Sequence, residues 1–337
     1  MDEKKLDAML KDMTAELPNE DPDGKELEQQ INRRLKAIAV RTVLSVLAGI
    51  LGLLLVVSPL VGLFCYNPLK KQKALIGDTD NELAQYMRAY ASVFLPYRSV
   101  YGTQVKNKGF GVYEVTLMMP EPAVGKAVLW SSEMEVVYEV RWGRWYGQKN
   151  TDRFQAPVNR LQMMKETETI LPELTLLPDS CLIYCTLALE TPAEPQELYR
   201  EEINLHWLQV EQNANDVQAG ISLDYFQSTQ TDRSGMNGAQ LKEEFLADLD
   251  ILLSDRELLT AHGIYVSRGI GEEAAGGILM YPGTLLEEVR DDVAAQEAVR
   301  TRIVSVSGRK QDLLRYLEEV GAVFIDVDYV LLSSWSR

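Results

Sequence analysis

The chain reads as an α+β protein: a single transmembrane helix followed by an extracytoplasmic domain of mixed sheets with helices packed on them. Two observations lead there. Residues 42–69 contain no charged side chain, and most of that run is aliphatic. Past residue 79, period-two alternation of apolar and polar residues trades places with apolar residues three and four apart, the marks of half-buried strands and of amphipathic helices.

A helix rises about 1.5 Å per residue, so a hydrocarbon core about 30 Å thick needs roughly 20 apolar residues. Thr42 to Phe64 meets that length, and no other window sustains the pattern. A cleaved signal peptide would carry a shorter apolar region, about 7–15 residues, close to its start. Here 41 residues come first, without a clean small-residue cleavage site. The expected divisions are an arm at 1–41, a transmembrane helix at 42–65, a first extracytoplasmic unit with a stalk at 66–165, and a C-terminal unit at 175–337.

Within the arm, residues 3–17 read as a short amphipathic helix. Leu6, Met9, Leu10, Met13 and Leu17 recur three and four apart, while Lys4, Asp7, Lys11 and Asp12 take the other face. An isolated helix of that length is marginal in water. A lone amphipathic helix on a tether suits docking in a partner's groove, so these five apolar residues are the candidate partner-binding set. Residues 18–24, PNEDPDG, form a breaker-rich linker, and helix is expected to resume over 25–41 and run into the span. Arg33, Arg34, Lys36 and Arg41 crowd one side of the span, and Lys70 and Lys71 follow it; these are the candidate membrane-interface residues. The positive-inside rule, applied to the first cluster, places the N-terminus in the cytoplasm.

Net charge is −16. Ten acids against eight bases give residues 1–41 a charge of −2, leaving −14 for the rest. That balance argues against direct nucleic-acid binding, which needs a basic face for phosphates. Three cysteines do not make a disulfide framework. Cys181 and Cys185, four apart in an apparent strand, would sit about 13 Å apart, too far to bridge.

Outside the span, Tyr66 to Gly77 reads as a stalk. Thr79-Asp80-Asn81-Glu82 fits a capping box, opening a helix that carries Leu83, Met87, Tyr90 and Phe94. Strands are expected at 110–119 and 133–142; the second alternates Met134, Val136, Tyr138 and Val140 with Glu133, Glu135, Glu139 and Arg141. Trp142, Trp145 and Tyr146 follow as an aromatic cluster that reads as strand-end packing or a ligand platform. Pro172 and Pro178 mark the break to a second unit. There Leu182–Leu189, Leu205–Val210, Ile221–Phe226, Ile303–Ser307 and Val323–Leu331 read as strands. Pro195–Ile203 reads as a helix, and further helices carry Leu241, Phe245, Leu249 and Leu252, then Leu313, Leu314, Leu317 and Val320. Gly308 is expected to turn the chain, and residues 227–237 to form an exposed loop.

Catalytic chemistry is not read anywhere, nor a cofactor or metal. His206 and His262, the two histidines, lack metal-ligand spacing to a cysteine or to each other. The glycines of 268–277 miss both nucleotide-loop spacings. Asp326 and Asp328 place two carboxylates about 6.6 Å apart on one side of a strand, an arrangement far commoner as a solvated face than as a Ca²⁺ ligand pair or an acid/base pair.

The segment Arg33-Arg34-Leu35-Lys36 through Arg41-Thr42-Val43-Leu44-Ser45-Val46-Leu47 resembles the sigma factor regulator N-terminal domain of Gram-positive bacteria. Leu187-Ala188-Leu189-Glu190-Thr191-Pro192, Leu205-His206-Trp207-Leu208-Gln209-Val210, Val306 through Leu314, and Val327-Asp328 resemble the matching C-terminal domain. The resemblance implies a membrane-anchored anti-sigma factor. Its arm would hold an alternative sigma factor in the cytoplasm, and its exterior would sense envelope state or bind a membrane co-regulator. The alternative expectation is a non-catalytic envelope scaffold or assembly protein.

Overall fold

A computed structural model of the protein describes residues 22–64, 66–72, 74–76, 80–120, 133–151, 164–212, 218–223, 233–256, 258–259 and 282–332. The expected helix at 3–17, His262 and the glycines of 268–277 lie outside the described residues. The chain divides into two compact units, Met1–Pro59 and Leu60–Arg337.

Helix α1, Pro22–Phe64, is continuous over 43 residues. Pro22 opens it, a position where the missing N–H costs nothing, so the breaker segment ends earlier than its composition suggests. As expected, helix runs unbroken from 25–41 into the apolar run. Within α1, Ile31–Leu53 is long and apolar enough to cross a membrane, and none of it is buried in the protein. Its first half holds Arg33, Arg34, Lys36 and Arg41. The charge-free residues from Thr42 to Phe64, in the same helix, are therefore the better match to hydrocarbon.

In the second unit a 3-10 turn, Pro68–Lys71, is capped by the Asn67 side chain, which accepts from the Leu69 N–H at 3.0 Å. Strands β1 (Ala74–Ile76) and β2 (Asp80–Asn81) pair antiparallel. Tyr66 and Pro68 are buried, and the Tyr66 ring lies 6.4 Å from that of Trp145. The described part of the expected stalk is thus folded into the unit, with Tyr66 in the main core and Pro68 buried. Helix α2, Glu82–Phe94, starts at the cap Asn81, whose side chain accepts from the Ala84 N–H at 2.9 Å and from the Thr103 hydroxyl at 2.8 Å.

Four strands form one sheet in sequence order: β3 (Gly102–Gly109), β4 (Val112–Pro120), β5 (Glu133–Arg141) and β6 (Arg144–Lys149). Register pairs Val115 with Tyr138, Leu117 with Val136 and Met119 with Met134, all buried, while the intervening Glu135 and Glu139 point away from the core. The six-stranded sheet contains β7 (Lys165–Glu166), β8 (Cys181–Ala193), β9 (Asn204–Gln209), β10 (Gly220–Ser222), β11 (Thr301–Arg309) and β12 (Ala322–Leu332), in the order β10-β9-β11-β8-β12-β7. Its connecting helices are α3 (Thr167–Thr175), α4 (Pro195–Leu198), α5 (Gly238–Ser254), α6 (Pro282–Ala295) and α7 (Lys310–Glu319).

Every described strand pair is antiparallel, which corrects the expectation of mixed sheets. The helix-linked strands β11 and β12 do run in one direction, but β8 lies between them and opposes both. Strand–helix–strand order therefore produces no parallel neighbours. Gly308 does not turn the chain; it pairs with Ile183 inside β11. Of the expected helix Pro195–Ile203, one turn forms.

Helix α2 is buried nearly all round, from Leu83 to Phe94 apart from Gln85. It packs against β3 and against β10 and α5, so the two units expected from the sequence share it. Ser92 makes the joint. Its hydroxyl donates to Asp248 Oδ2 at 2.6 Å and accepts from Arg233 Nη1 at 2.9 Å and from the Ser222 N–H at 3.3 Å. Its carbonyl accepts from Trp207 Nε1 at 3.0 Å. Arg233 also pairs with Asp248 at 2.9 Å and Glu244 at 3.0 Å. Burial pushes the Asp248 carboxyl above its usual range, and Arg233 and Ser92 pull against that shift.

A buried pair is costly to build but costlier to halve. Asp248→Asn should lower stability by roughly 3 kcal/mol, since Arg233 stays buried with one carboxylate fewer. Asp248→Leu combined with Arg233→Met should recover most of that loss. Urea denaturation of the full chain, followed by tryptophan emission, measures both.

Candidate functional site

Two regions hold the chemistry that α1 and the sheets position. The first is α1 with its flanks. Arg33, Arg34, Lys36 and Arg41 are all exposed on the helix ahead of the charge-free run. At the start of that run the Thr42 hydroxyl donates to the Ile38 carbonyl at 2.9 Å, so its polar atom is satisfied within the helix. Beyond the run, Lys70 and Lys71 part company. Lys70 is exposed. Lys71 binds Asp255 at 3.0 Å and Glu82 at 3.7 Å, and the hydrogen bond it donates to Asp255 raises its pKa. Lys71 therefore ties the 3-10 turn to α2 and to the residue after α5. Leu6, Met9, Leu10, Met13 and Leu17, the candidate partner-binding set, lie outside the described residues.

The second region is the polar face of the six-stranded sheet. One face of the sheet buries Ile183, Cys185, Leu187, Val304 and Val306 in the main core with Leu313 and Leu317 of α7. The opposite face presents Tyr184 and Thr186 from β8 and Ser305 and Ser307 from β11, in register as the pairs Ser305–Thr186 and Ser307–Tyr184. In β9 the register passes from Trp207 to Leu205 across the Ser305–Val306 step, which makes His206 an extra residue. Its Nε2 lies 2.7 Å from Ser307 Oγ, and its ring stacks on Tyr184 at 5.3 Å. Tyr97, at φ 60, meets the edge of the His206 ring at 5.0 Å. The Tyr97 hydroxyl donates to the Cys185 carbonyl at 2.6 Å. Arg98 donates to the Tyr329 hydroxyl at 2.8 Å at the open margin.

A hydroxyl chain crosses the floor. Ser305 and Thr186 are 2.9 Å apart, and Thr186 donates to Asp328 Oδ2 at 2.9 Å; Thr186 spends its one proton on the carboxylate and so accepts from Ser305. Asp326 pairs with Thr186, but a register shift between Val327 and Tyr329 makes Asp328 an extra residue. Burial drives the Tyr97 phenol and the Cys185 thiol well above their ordinary values, and the Asp328 charge adds to both shifts.

The His206–Ser307 contact has the distance of a base and its nucleophile. Ser307, however, is 1% exposed, so an acyl group has no approach to its oxygen. The arrangement instead satisfies polar atoms that the sheet buries. Among the described residues no group of three or more His, Cys, Asp or Glu gathers to hold a metal. Cys181 and Cys185 are buried, unbridged and in one strand, in line with the spacing argument. The expected aromatic cluster divides: Trp145 turns inward, 5.2 Å from Tyr138, whereas Trp142 and Tyr146 are exposed.

Sequence reasoning missed Tyr97, Tyr184 and Tyr329. The alternation Val304-Ser305-Val306-Ser307 was the available signal of a strand with one polar face. No family model matches the chain, and no curated protein or solved structure matches it.

Tyr97→Phe removes a buried donor and should cost roughly 1–2 kcal/mol in thermal unfolding. A fluorophosphonate probe should leave Ser307 unmodified. Stoichiometric labelling that disappears in Ser307→Ala would instead make the pair a working nucleophile.

Proposed function

We propose that this chain is a single-pass membrane anti-sigma factor. Its N-terminal arm sequesters an alternative sigma factor on the cytoplasmic side, and its folded unit lies outside, where it senses the envelope or binds a membrane co-regulator. The observation that carries the reading is α1. One uninterrupted helix of 43 residues, about 65 Å long, joins the basic cluster to the apolar run. A displacement on one side of the bilayer therefore reaches the other through a rigid element.

Several features support the reading. The exposed apolar surface of α1 needs a solvent other than water. Arg33, Arg34, Lys36 and Arg41 mark the cytoplasmic end by the positive-inside rule. The residues that resemble the sigma factor regulator domains include parts of β8 and β11, the two central strands of the six-stranded sheet, and the start of α7. The net charge of −16 disfavours contact with DNA, which leaves regulation to protein–protein contact.

Two measurements test it. A reporter active only outside the cytoplasm should work fused after Arg337 and fail fused before Met1; the reverse topology would place the arm away from RNA polymerase and end the reading. In cells, Leu6→Asp with Leu10→Asp should release the sigma-dependent regulon at unchanged protein level. Each buried leucine contributes roughly 1.5–3 kcal/mol, so the pair should weaken docking by about two orders of magnitude or more. Wild-type reporter output would remove this face as the docking site and favour the envelope scaffold.

A further inference from the structure

The tips of the β3–β4 and β5–β6 hairpins carry an aromatic pair that the fold itself does not require. Both turns lie at one end of the four-stranded sheet. In the first, Gly109, Phe110 and Gly111 have φ of 94°, 52° and 74°. In the second, Trp142 and Gly143 have φ of 49° and 81° and connect the paired residues Arg141 and Arg144. Two-residue hairpin turns of this hand favour Asn-Gly, because a bulky residue in the left-handed region is strained. Here Phe and Trp take those positions.

Two hydrogen bonds lock one tip onto the other. The Trp142 N–H donates to the Gly111 carbonyl at 3.0 Å, and Trp142 Nε1 donates to the Phe110 carbonyl at 3.2 Å. Yet Trp142 is 68% exposed and Phe110 55% exposed. The indole has its one donor satisfied internally, so what it presents outward is hydrocarbon. Tyr146 is 45% exposed and lies under the Arg141 guanidinium at 5.7 Å.

The charge around the tips opposes that of the chain. Segments 106–114 and 139–149 contain five bases and two acids, a local +3 in a protein of −16; Lys108 pairs with Glu114, Arg141 with Glu139 and Lys149 with Glu135, so Lys106 and Arg144 carry the excess. Aromatic rings with satisfied polar atoms, rimmed by arginine and lysine, are the composition that settles at a bilayer interface, and basic rims prefer anionic lipid. The geometry points to a second membrane contact: Phe110 and Trp142 insert at the surface of an anionic bilayer while the neighbouring bases meet headgroup phosphates. This inference rests on the proposal that α1 spans the membrane, which tethers the folded unit to a bilayer.

The test uses the full chain in nanodiscs of phosphatidylcholine with phosphatidylglycerol, with and without mid-chain bromination. The emission component that Trp142→Phe removes should be at least halved by brominated lipid. The quenching should weaken in discs of phosphatidylcholine alone and in Arg141→Gln with Arg144→Gln. A Trp142 component untouched by bromine in chains that have entered the discs overturns the inference and leaves the spanning helix standing. The same component shielded from bromine but shifted to the blue as the chain self-associates overturns it in favour of a second copy on the tips. Chains that do not enter the discs refute the spanning helix, and the inference falls with it.

Discussion

The buried hydroxyl of Ser92 is the point on which the folded unit depends. It donates once and accepts twice, and the carbonyl of the same residue takes the indole N–H of Trp207. In a low-dielectric interior each of those groups would be expensive if left unmade. Satisfying all of them requires α2, α5, β9 and β10 to hold one mutual position. Trp207 sets further terms: a Cβ at Gly220 would come within 2.2 Å of its ring and 2.3 Å of the Leu208 carbonyl. Glycine is therefore the residue that lets β10 lie against the indole. From this joint, α2 reaches β3, and Asn81 and Thr103 complete the link to the four-stranded sheet.

Polar chemistry inside this unit is structural in character. The chain from Ser305 through Thr186 to Asp328, the Tyr97 hydroxyl on the Cys185 carbonyl, and the His206–Ser307 contact all satisfy groups beside strands β8, β9 and β11. Helix α1 obeys another solvent. Between Ile31 and Leu53 its apolar side chains are not buried in the protein, and their hydrophobic free energy is realised only when lipid or another apolar surface covers them. One chain therefore carries a part organised by water and a part organised by hydrocarbon.

Elements with a strong period were legible in the sequence. The alternation Met134–Val140, the leucines of α5 and the apolar run of α1 each announce a local structure that depends on few distant residues, whereas the cap of α2 is Asn81, two residues past the Thr79 of the expected capping box. What escaped depends on distance or on subtle side chains. Ala84, Ala89, Ala91 and Ser92 look like the polar side of α2, but they are small enough to be buried, and the helix is covered nearly all round. Arg233 looks like part of an exposed loop, and only tertiary proximity to Asp248 makes it a core cation. Antiparallel order around β8 could not be read from strand–helix alternation, which is the same for β11 and β12 side by side or apart. The register irregularities at His206 and Asp328 break the period-two rule on which strand-face reasoning rests. For the candidate sites, the basic cluster at 33–41 was legible as composition, whereas the role of Lys71 depends on Asp255, remote in sequence.

If Ser92 and its partners join the two sheets, they should open together. Native-state hydrogen exchange on the full chain, resolved by peptide, measures this most directly. The account predicts that amides of β4 and β5 open at the same free energy as those of β8 and β11, and that Ser92→Ala lowers both by the same amount. A four-stranded sheet that exchanges through its own, lower-energy opening while β8 and β11 stay protected would contradict it.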